Sequence, residues 1–458
     1  MPMTEASRPP PKARARFLRI ALRSLWILGL ATLTLGPLEA LTASYGDDLG
    51  DALPPRGLAH FEAMEAHFAE PFTGYAQYSV LTPQFGVILL SHSALGFLNV
   101  VQSTPELRAR ACASLEHVAA RAFDSRVSPY ERDPREVERF EDYNLYLSHL
   151  SLVLGARRMA CGDGAAGDDD AFHTRINAHV RERSLTSHNA HARSFPYSER
   201  FPADQAATLA SLYLYDLTHD TELAREPIDA WLQTMALPEN LAEHGLHRSS
   251  LDDEYPHAQN ARGCALSWTS FYMPQFAPDE ARALYEGYRE HYAVEVAGLG
   301  GFREYAPGVD AGADADSGPI VLGMGVAATG LALGAARLHN DSSTYHRLMQ
   351  TAASAGAPAA LGTGRSYLLA AMLGEAILFH ATTARRWEGP EIQATPYEST
   401  APWGTLLYAA FLLFLVGRTL RELWRERKPP SANEAQTKHK QAPASDAPAS
   451  DAPAKAER

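Results

Sequence analysis

Between residues 55 and 385 the sequence shows almost none of the period-two alternation that a half-buried strand requires. Apolar positions recur at helical spacing instead, in stretches separated by loops rich in Gly, Pro and Asp. These stretches are of two kinds. About 57–69, 105–122, 169–184, 222–235, 279–293 and 342–354 are amphipathic and charged. About 84–101, 138–160, 203–218, 258–273, 319–337 and 364–381 are poorer in charge and richer in Ala, Gly, Leu and Tyr. The two kinds alternate along the chain. A helix that is apolar nearly all round must be buried, and an amphipathic one can cover it. Six of each predict an all-α domain with an inner and an outer ring, an (α/α)6 toroid. A plain helical solenoid is the alternative, and no repeated motif favours it.

The two ends break the pattern. "KARARFLRIALR" leads into "SLWILGLATLTLGPLEALTA", and "WGTLLYAAFLLFLVG" leads into "RTLRELWRERK". With its flanks, each apolar run approaches the roughly 20 residues that cross a bilayer. The basic clusters precede the first run and follow the second, so the positive-inside rule keeps both termini in the cytoplasm. The resulting division is a basic N-terminus (1–16), a membrane anchor or cleaved signal peptide (17–43), an extracytoplasmic toroid (44–400), a transmembrane helix (401–423) and a cytoplasmic tail (424–458). The tail, with "ASDAP" repeated, is too rich in Ala, Pro and Ser to bury a core, and it reads as disordered. The expected location is the cell (inner) membrane, with the lipid bilayer as a partner.

Composition narrows the function classes. The formal net charge is -13, which argues against a nucleic-acid partner, because phosphate binding wants a basic face. The three cysteines, Cys112, Cys161 and Cys264, have no zinc spacing and spell no disulfide framework. One bridge is possible outside the cytoplasm. No P-loop, nucleophile elbow or Cys/His pairing is legible, and no cofactor is expected.

Four stretches can carry chemistry. In "FEDYNLYLSHLSLVLGARR", Tyr146 and His149 share one helix face and Tyr143 lies one turn back. His149 can exchange protons near neutral pH, or be a satisfied core histidine. In "FPADQAATLASLYLYD", Asp204 sits in a helix first turn. It either complements the helix dipole or opens into a cavity as a general acid or base. In "FREYAPGVDAGADADSGPIVLGMG", Glu304, Tyr305, Asp310, Asp314 and Asp316 make an acidic loop ahead of a helix expected to begin at Pro319. The loop lacks the spacing and terminal Glu of an EF-hand. Gly323, Gly325, Gly330 and Gly334 lack GxGxxG spacing and read as close helix packing. In "HGLHRSSLDDEYPHAQNARG", His244, His247 and His257 with Asp252, Asp253 and Glu254 lack zinc geometry, so no metal is expected. Asp253 and Tyr255 are candidate substrate contacts, as are Tyr143, Tyr197, Trp268, Glu304, Tyr305 and Asp316.

Two of these stretches resemble one family. "YNLYLSHLSLVLGARR" looks like the Y-S-G-H-L-x-x-x-L-G motif of linalool dehydratase-isomerase-like proteins, and "RFPADQAATLASLYLYD" is similar to their x-F-P-x-C-N-Q segment. The resemblance is clearest over about residues 140 to 220 and implies an (α/α)6 barrel. It puts the family histidine on His149, the tyrosine of that motif on Tyr146, and the cysteine of F-P-x-C on Asp204. The family's earlier cysteine falls near Phe195, so both active-site thiols are absent. An aspartate that serves acid/base chemistry in the family has no counterpart placed here.

The resemblance implies a membrane-anchored dehydratase or isomerase (a lyase or isomerase class of enzyme). It would use general acid/base chemistry on a hydroxylated small molecule, with His149, Asp204 and Tyr146 as catalytic residues. With the thiols gone, the family's monoterpene substrate is not carried over. A carboxylate near His149 would raise its pKa toward working pH. One alternative is a carbohydrate-active toroid (a glycoside hydrolase, lyase or epimerase) that takes a glycan substrate and pairs Asp204 with Asp316 or Asp253. The other is a non-catalytic membrane-bound binding module.

Overall fold

A computed structural model describes residues 11–42, 49–50, 52–74, 83–128, 133–136, 142–162, 169–196, 200–254, 257–309, 311–355, 372–389, 392 and 403–427. The fold is mostly helical. The described residues contain fourteen α-helices: α1 Pro11–Thr42, α2 Pro55–Ala69, α3 Pro83–Ser103, α4 Arg108–Ala122, α5 Asn144–Cys161, α6 Asp169–Thr186, α7 Pro202–His219, α8 Arg225–Met235, α9 Gly263–Tyr272, α10 Pro278–Tyr292, α11 Val326–Leu338, α12 Ser342–Ala355, α13 Met372–Thr383 and α14 Trp403–Arg427. The chain divides into two compact units, one of residues 1–31 with 411–458 and one of residues 32–410.

In the larger unit the apolar helices pack on one another in sequence. The order is α3 on α5, α5 on α7, α7 on α9, α9 on α11 and α11 on α13, and α13 packs back on α3. These are helices without a solvent face, and α3 is buried at every position from Phe97 to Val101. Small residues let them approach. A Cβ on Gly96 would overlap the Phe379 ring, and one on Gly334 would overlap Phe271. Gly334 is thus a close-packing glycine, as its sequence context suggests.

The amphipathic helices lie outside, with α4 on α3 and α5, α6 on α5 and α7, α8 on α6 and α7, α10 on α9, α12 on α11, and α2 on α13. On α10 the buried residues are Ala281, Leu284, Tyr285, Tyr288 and Tyr292, one stripe at helical spacing. Prolines at the starts of α2, α7 and α10 supply a preset φ where no intrahelical N–H bond is needed. Cys112 of α4 and Cys161 of α5 form a disulfide, with Cα atoms 5.8 Å apart.

Two features differ from the sequence reading. The helix expected from Pro319 begins only at Val326. Ahead of it Ile320–Val321 (β3) and Met324–Gly325 (β4) form a hairpin, because Leu322 and Gly323 both take positive φ and turn the chain. A second hairpin pairs Ala293–Val296 (β1) with Leu299–Phe302 (β2).

The other difference concerns the membrane. Among the described residues, the two helices long and apolar enough to cross one are Gln84–Ser103 and Trp403–Trp424. The first is 89% buried inside the larger unit and is a core helix; the second is 17% buried. The N-terminal apolar run is not one of these two, although α1 exposes Leu22, Leu25, Trp26 and Leu28. Within the smaller unit Arg23 lies 3.7 Å from Glu422, which also accepts a bond from Arg418.

Candidate active site

Several residues with chemical potential lie at the starts of α7 and α9 and in the loop before α11. Asp204 is in the first turn of α7, and its Oδ2 accepts a hydrogen bond from the Ser194 hydroxyl. The side chain is partly exposed. Burial pushes its carboxyl up to about 7. The Ser194 bond opposes that shift, and the charge of Asp316 adds to it. Asp316 is itself raised, first by desolvation and then by Asp314, while Arg262 pulls it back. The charge of Asp316 thus acts on Asp204, and Asp204 is the one held protonated toward neutral pH.

Beside them lies a buried ion pair. The Arg262 Nε donates to Glu304 Oε1 at 2.8 Å, and a terminal guanidinium nitrogen donates to Asp314 Oδ1 at 2.9 Å. The Arg262 guanidinium also lies 5.5 Å from the centre of the Tyr305 ring. Glu304 accepts from the Cys264 backbone N–H at 3.1 Å and from its thiol at 3.0 Å. Burial, then the Glu304 charge, holds the Cys264 thiol well above its usual range. Cys264 is thus a protonated donor that orients Glu304, and not a thiolate. Glu304 is a structural carboxylate, fully engaged.

Deeper along α3, α5, α9 and α13 runs a buried polar chain. His149 Nδ1 is 2.6 Å from Ser91 Oγ. The Tyr272 hydroxyl is 3.4 Å from His92 Nε2, and His92 Nδ1 is 2.9 Å from His380 Nδ1. A contact between two ring nitrogens needs one proton shared between them, so one ring donates and the other accepts. Desolvation lowers His92 to about 3 and holds His149 and His380 well below their usual value. Trp268 packs edge-on against both His92 and His149, with ring centres 5.5 Å apart in each case.

This arrangement corrects several expectations. His149 is bonded to Ser91 and next feels His92. Its pKa falls, where a neighbouring carboxylate would have raised it. Tyr146 points away, donating to the Ala122 carbonyl at the end of α4 at 3.2 Å. Tyr143 is buried edge-on against Phe195 at the start of α5. Asp253 is a surface group, 71% exposed and paired with Arg248. Tyr305 donates its hydroxyl to the Gly312 carbonyl at 3.3 Å. Tyr197, Tyr255 and Asp310 lie outside the described residues.

The histidines of the "HGLHRSSLDDEYPHAQNARG" stretch are dispersed, His244 against His291, His247 against Trp231 and His257 against Tyr305. A depression on the outer face of α8, lined by Arg181, Glu222, Arg225, Glu226 and Asp229, contains none of the residues above.

Sequence reasoning missed Ser194, Arg262, Cys264, Ser91, His92 and His380, and took Tyr272 as a stacking aromatic of the glycan alternative. The signal for Ser91 and His92 was present: "SHS" interrupts the otherwise apolar "VILLSHSALGFL", and a polar group on an all-buried helix needs a partner. No known protein-family model matches the sequence, and neither does any curated protein.

Proposed function

We propose that the chain is a membrane-anchored acid/base enzyme that cleaves a C–O bond in a hydroxylated small molecule, by a dehydratase or isomerase type of reaction. Asp204 is the proton donor. The observation that carries this reading is a partly exposed Asp204 carboxyl at a helix start, bonded to Ser194 and raised to about 7 by burial, with the charge of Asp316 adding to the shift. The protonated Asp204 gives its proton to the departing hydroxyl oxygen as the C–O bond breaks and water leaves. Ionised Asp316 then takes the proton from the neighbouring carbon, and the double bond forms there. His149, neutral, buried and tied to Ser91, is not the acid.

The architecture proposed for this site is an (α/α)6 toroid. The packing of six apolar helices, each on the next and the last on the first, supports it, as do the six amphipathic helices outside. The starts of α7 and α9 then lie at one end of the inner ring. An extracytoplasmic location is favoured by the Cys112–Cys161 disulfide, because such bonds persist in oxidising compartments. The basic residues after the apolar part of α14 favour the same topology. The dehydratase assignment leans on the short motifs around His149 and Asp204.

A second reading, a glycan-cleaving toroid, is favoured by the same pair, since Asp204 can protonate a glycosidic oxygen while Asp316 acts as nucleophile or base. Carboxyl separations of roughly 5–5.5 Å or 6.5–9.5 Å would distinguish retention from inversion. The test is turnover by the purified full chain of a panel of allylic and tertiary alcohols in D2O, and of a panel of oligosaccharides. The class that is turned over decides between the readings. Asp204→Asn is expected to lose about 10²–10⁴-fold in rate, the range for a positioned acid. Undiminished turnover in Asp204→Asn would remove Asp204 from the chemistry.

A further inference from the structure

Three segments of the larger unit meet where α11 ends, and they bring together positive charge that the protein leaves unmatched. His339 follows the last residue of α11. Its ring stacks on the Tyr285 ring of α10, with centres 4.5 Å apart and planes 11° from parallel. Arg282 precedes Tyr285 by three residues on α10, so the two side chains are neighbours on one helix face. The third segment is the chain after α13. The Arg337 Nε donates to the Ala384 carbonyl at 2.7 Å. Gln275, just ahead of α10, grips both sides of Arg386. Its amide donates to the Arg385 carbonyl at 3.0 Å, and its Oε1 accepts from the Trp387 N–H at 2.9 Å. The backbone around Arg386 is thereby held to the end of α11 and to the approach to α10.

The charge of Arg282 acts on Arg386, and both act on His339. Among the described residues, neither arginine forms an ion pair or a hydrogen bond. The acids around them are taken or stand off. Asp341 accepts from Tyr285 at 3.0 Å, from Arg289 at 2.8 Å and from Thr344. Glu388 accepts from Tyr213 at 2.9 Å. Asp279 acts on Arg386 at a distance, without a hydrogen bond. Burial, then the Arg282 charge, lowers the Arg386 pKa. Like charges held together cost free energy that a bound anion removes.

His339 is the second, independent sign. It is 5% exposed, and neither ring nitrogen has a well-formed hydrogen bond. Only the Ser270 backbone acts on the ring as an acceptor, and its helical donor position is Pro274, which has no N–H. A buried imidazole so poorly partnered, beside two unpaired guanidiniums, is a donor awaiting an acceptor.

We infer that Arg282, Arg386 and His339 form a binding site for a tetrahedral oxyanion, phosphate or sulfate. Each guanidinium presents paired N–H donors that match such oxygens bidentately, and the imidazole adds one N–H. Two unmatched cations call for a dianion, and a carboxylate would leave one of them unneutralised. Arg282 is exposed and Arg386 half-buried, so an anion reaches them from solvent. The site shares no residue with the Asp204 region and stands apart from the acid/base reading.

The test is calorimetric titration of the purified full chain with inorganic phosphate, with sulfate and acetate alongside. Saturable phosphate binding is expected. It should weaken about 10- to 100-fold in Arg282→Gln and in Arg386→Gln, the range for losing a charged hydrogen-bonding partner. Arg225→Gln on the outer face of α8 is the control and should bind as the wild type does. His339→Phe can keep the stack on Tyr285 while losing both nitrogens, and it should also weaken binding. Without phosphate the arginine variants should melt no lower than the wild type, because each removes a like-charge repulsion; lost binding is then not lost fold. Phosphate should raise the melting temperature of the wild type and the control more than that of the arginine variants. Tighter binding of glycerol 3-phosphate than of inorganic phosphate would mark the phosphoryl group of a larger molecule as the ligand, and weaker binding would mark the free ion; both support the inference. Absence of saturable binding, binding that survives both arginine substitutions, or acetate bound as tightly as phosphate overturns it.

Discussion

Asp204→Asn is expected to stabilise the protein at pH 8 and to leave it nearly unchanged at pH 4. The folded-state pKa of Asp204 is about 7, above the ordinary 3.8 of an unfolded Asp. A raised carboxyl contributes stability that is fully present below pH ~4. That contribution is lost progressively as pH rises toward and through about 7, because the unfolded chain ionises freely and the folded one resists. A gap of about three units at 1.36 kcal/mol each sets the loss at about 4 kcal/mol by pH 8, an upper value for a side chain with some solvent access. The Asn variant has no charge to bury, and its amide oxygen can still accept the Ser194 hydrogen bond. Thermal melts of both proteins across pH 4 to 8 check this: the curves should coincide at acid pH and separate by several degrees at pH 8. Stability gained by removing a residue, together with lost turnover, is the signature of a site kept strained for chemistry.

The second large effect belongs to the disulfide. Cys112 and Cys161 are 49 residues apart in sequence, and closing a loop of that length lowers the entropy of the unfolded chain by an amount worth about 4 kcal/mol. The double variant Cys112→Ser/Cys161→Ser should melt well below the wild type, with α4 released from the end of α5. The same bond reports topology. In intact cells treated with a thiol-blocking reagent before lysis, both cysteines should resist alkylation unless a reductant is added first. Alkylation of both without reductant would put the domain on the reducing side of the membrane.

The helical layers were legible in the sequence because burial writes itself on a helix directly. A stretch such as "VILLSHSALGFLNVV" has no solvent face, and "PDEARALYEGYREHY" has one. The hairpin ahead of α11 was not legible, since "PIVLGMG" continues the apolar run of the helix and the turn depends on a left-handed Leu322 that propensity argues against. Asp204 was visible as a first-turn acid with two possible meanings. Its partner Asp316 was visible only as one acid among several in a loop. Proximity between α7 and that loop is a tertiary fact, and no local pattern encodes it. The expected partnership of His149 with Asp204 failed for a similar reason: helical spacing gives the face of α5 that His149 occupies, while the depth at which it meets Ser91 of α3 depends on how two helices slide past each other.

The measurement closest to the central claim is an infrared pH titration of the carboxylic C=O stretch, wild type minus Asp204→Asn. The acid/base account predicts a protonated-carboxyl band attributable to Asp204 that survives at pH 6, disappears with a midpoint near 7, and shifts to lower pH in Asp316→Asn. A difference spectrum empty above pH 5 would mean that Asp204 is an ordinary ionised first-turn carboxylate, and it would contradict the account.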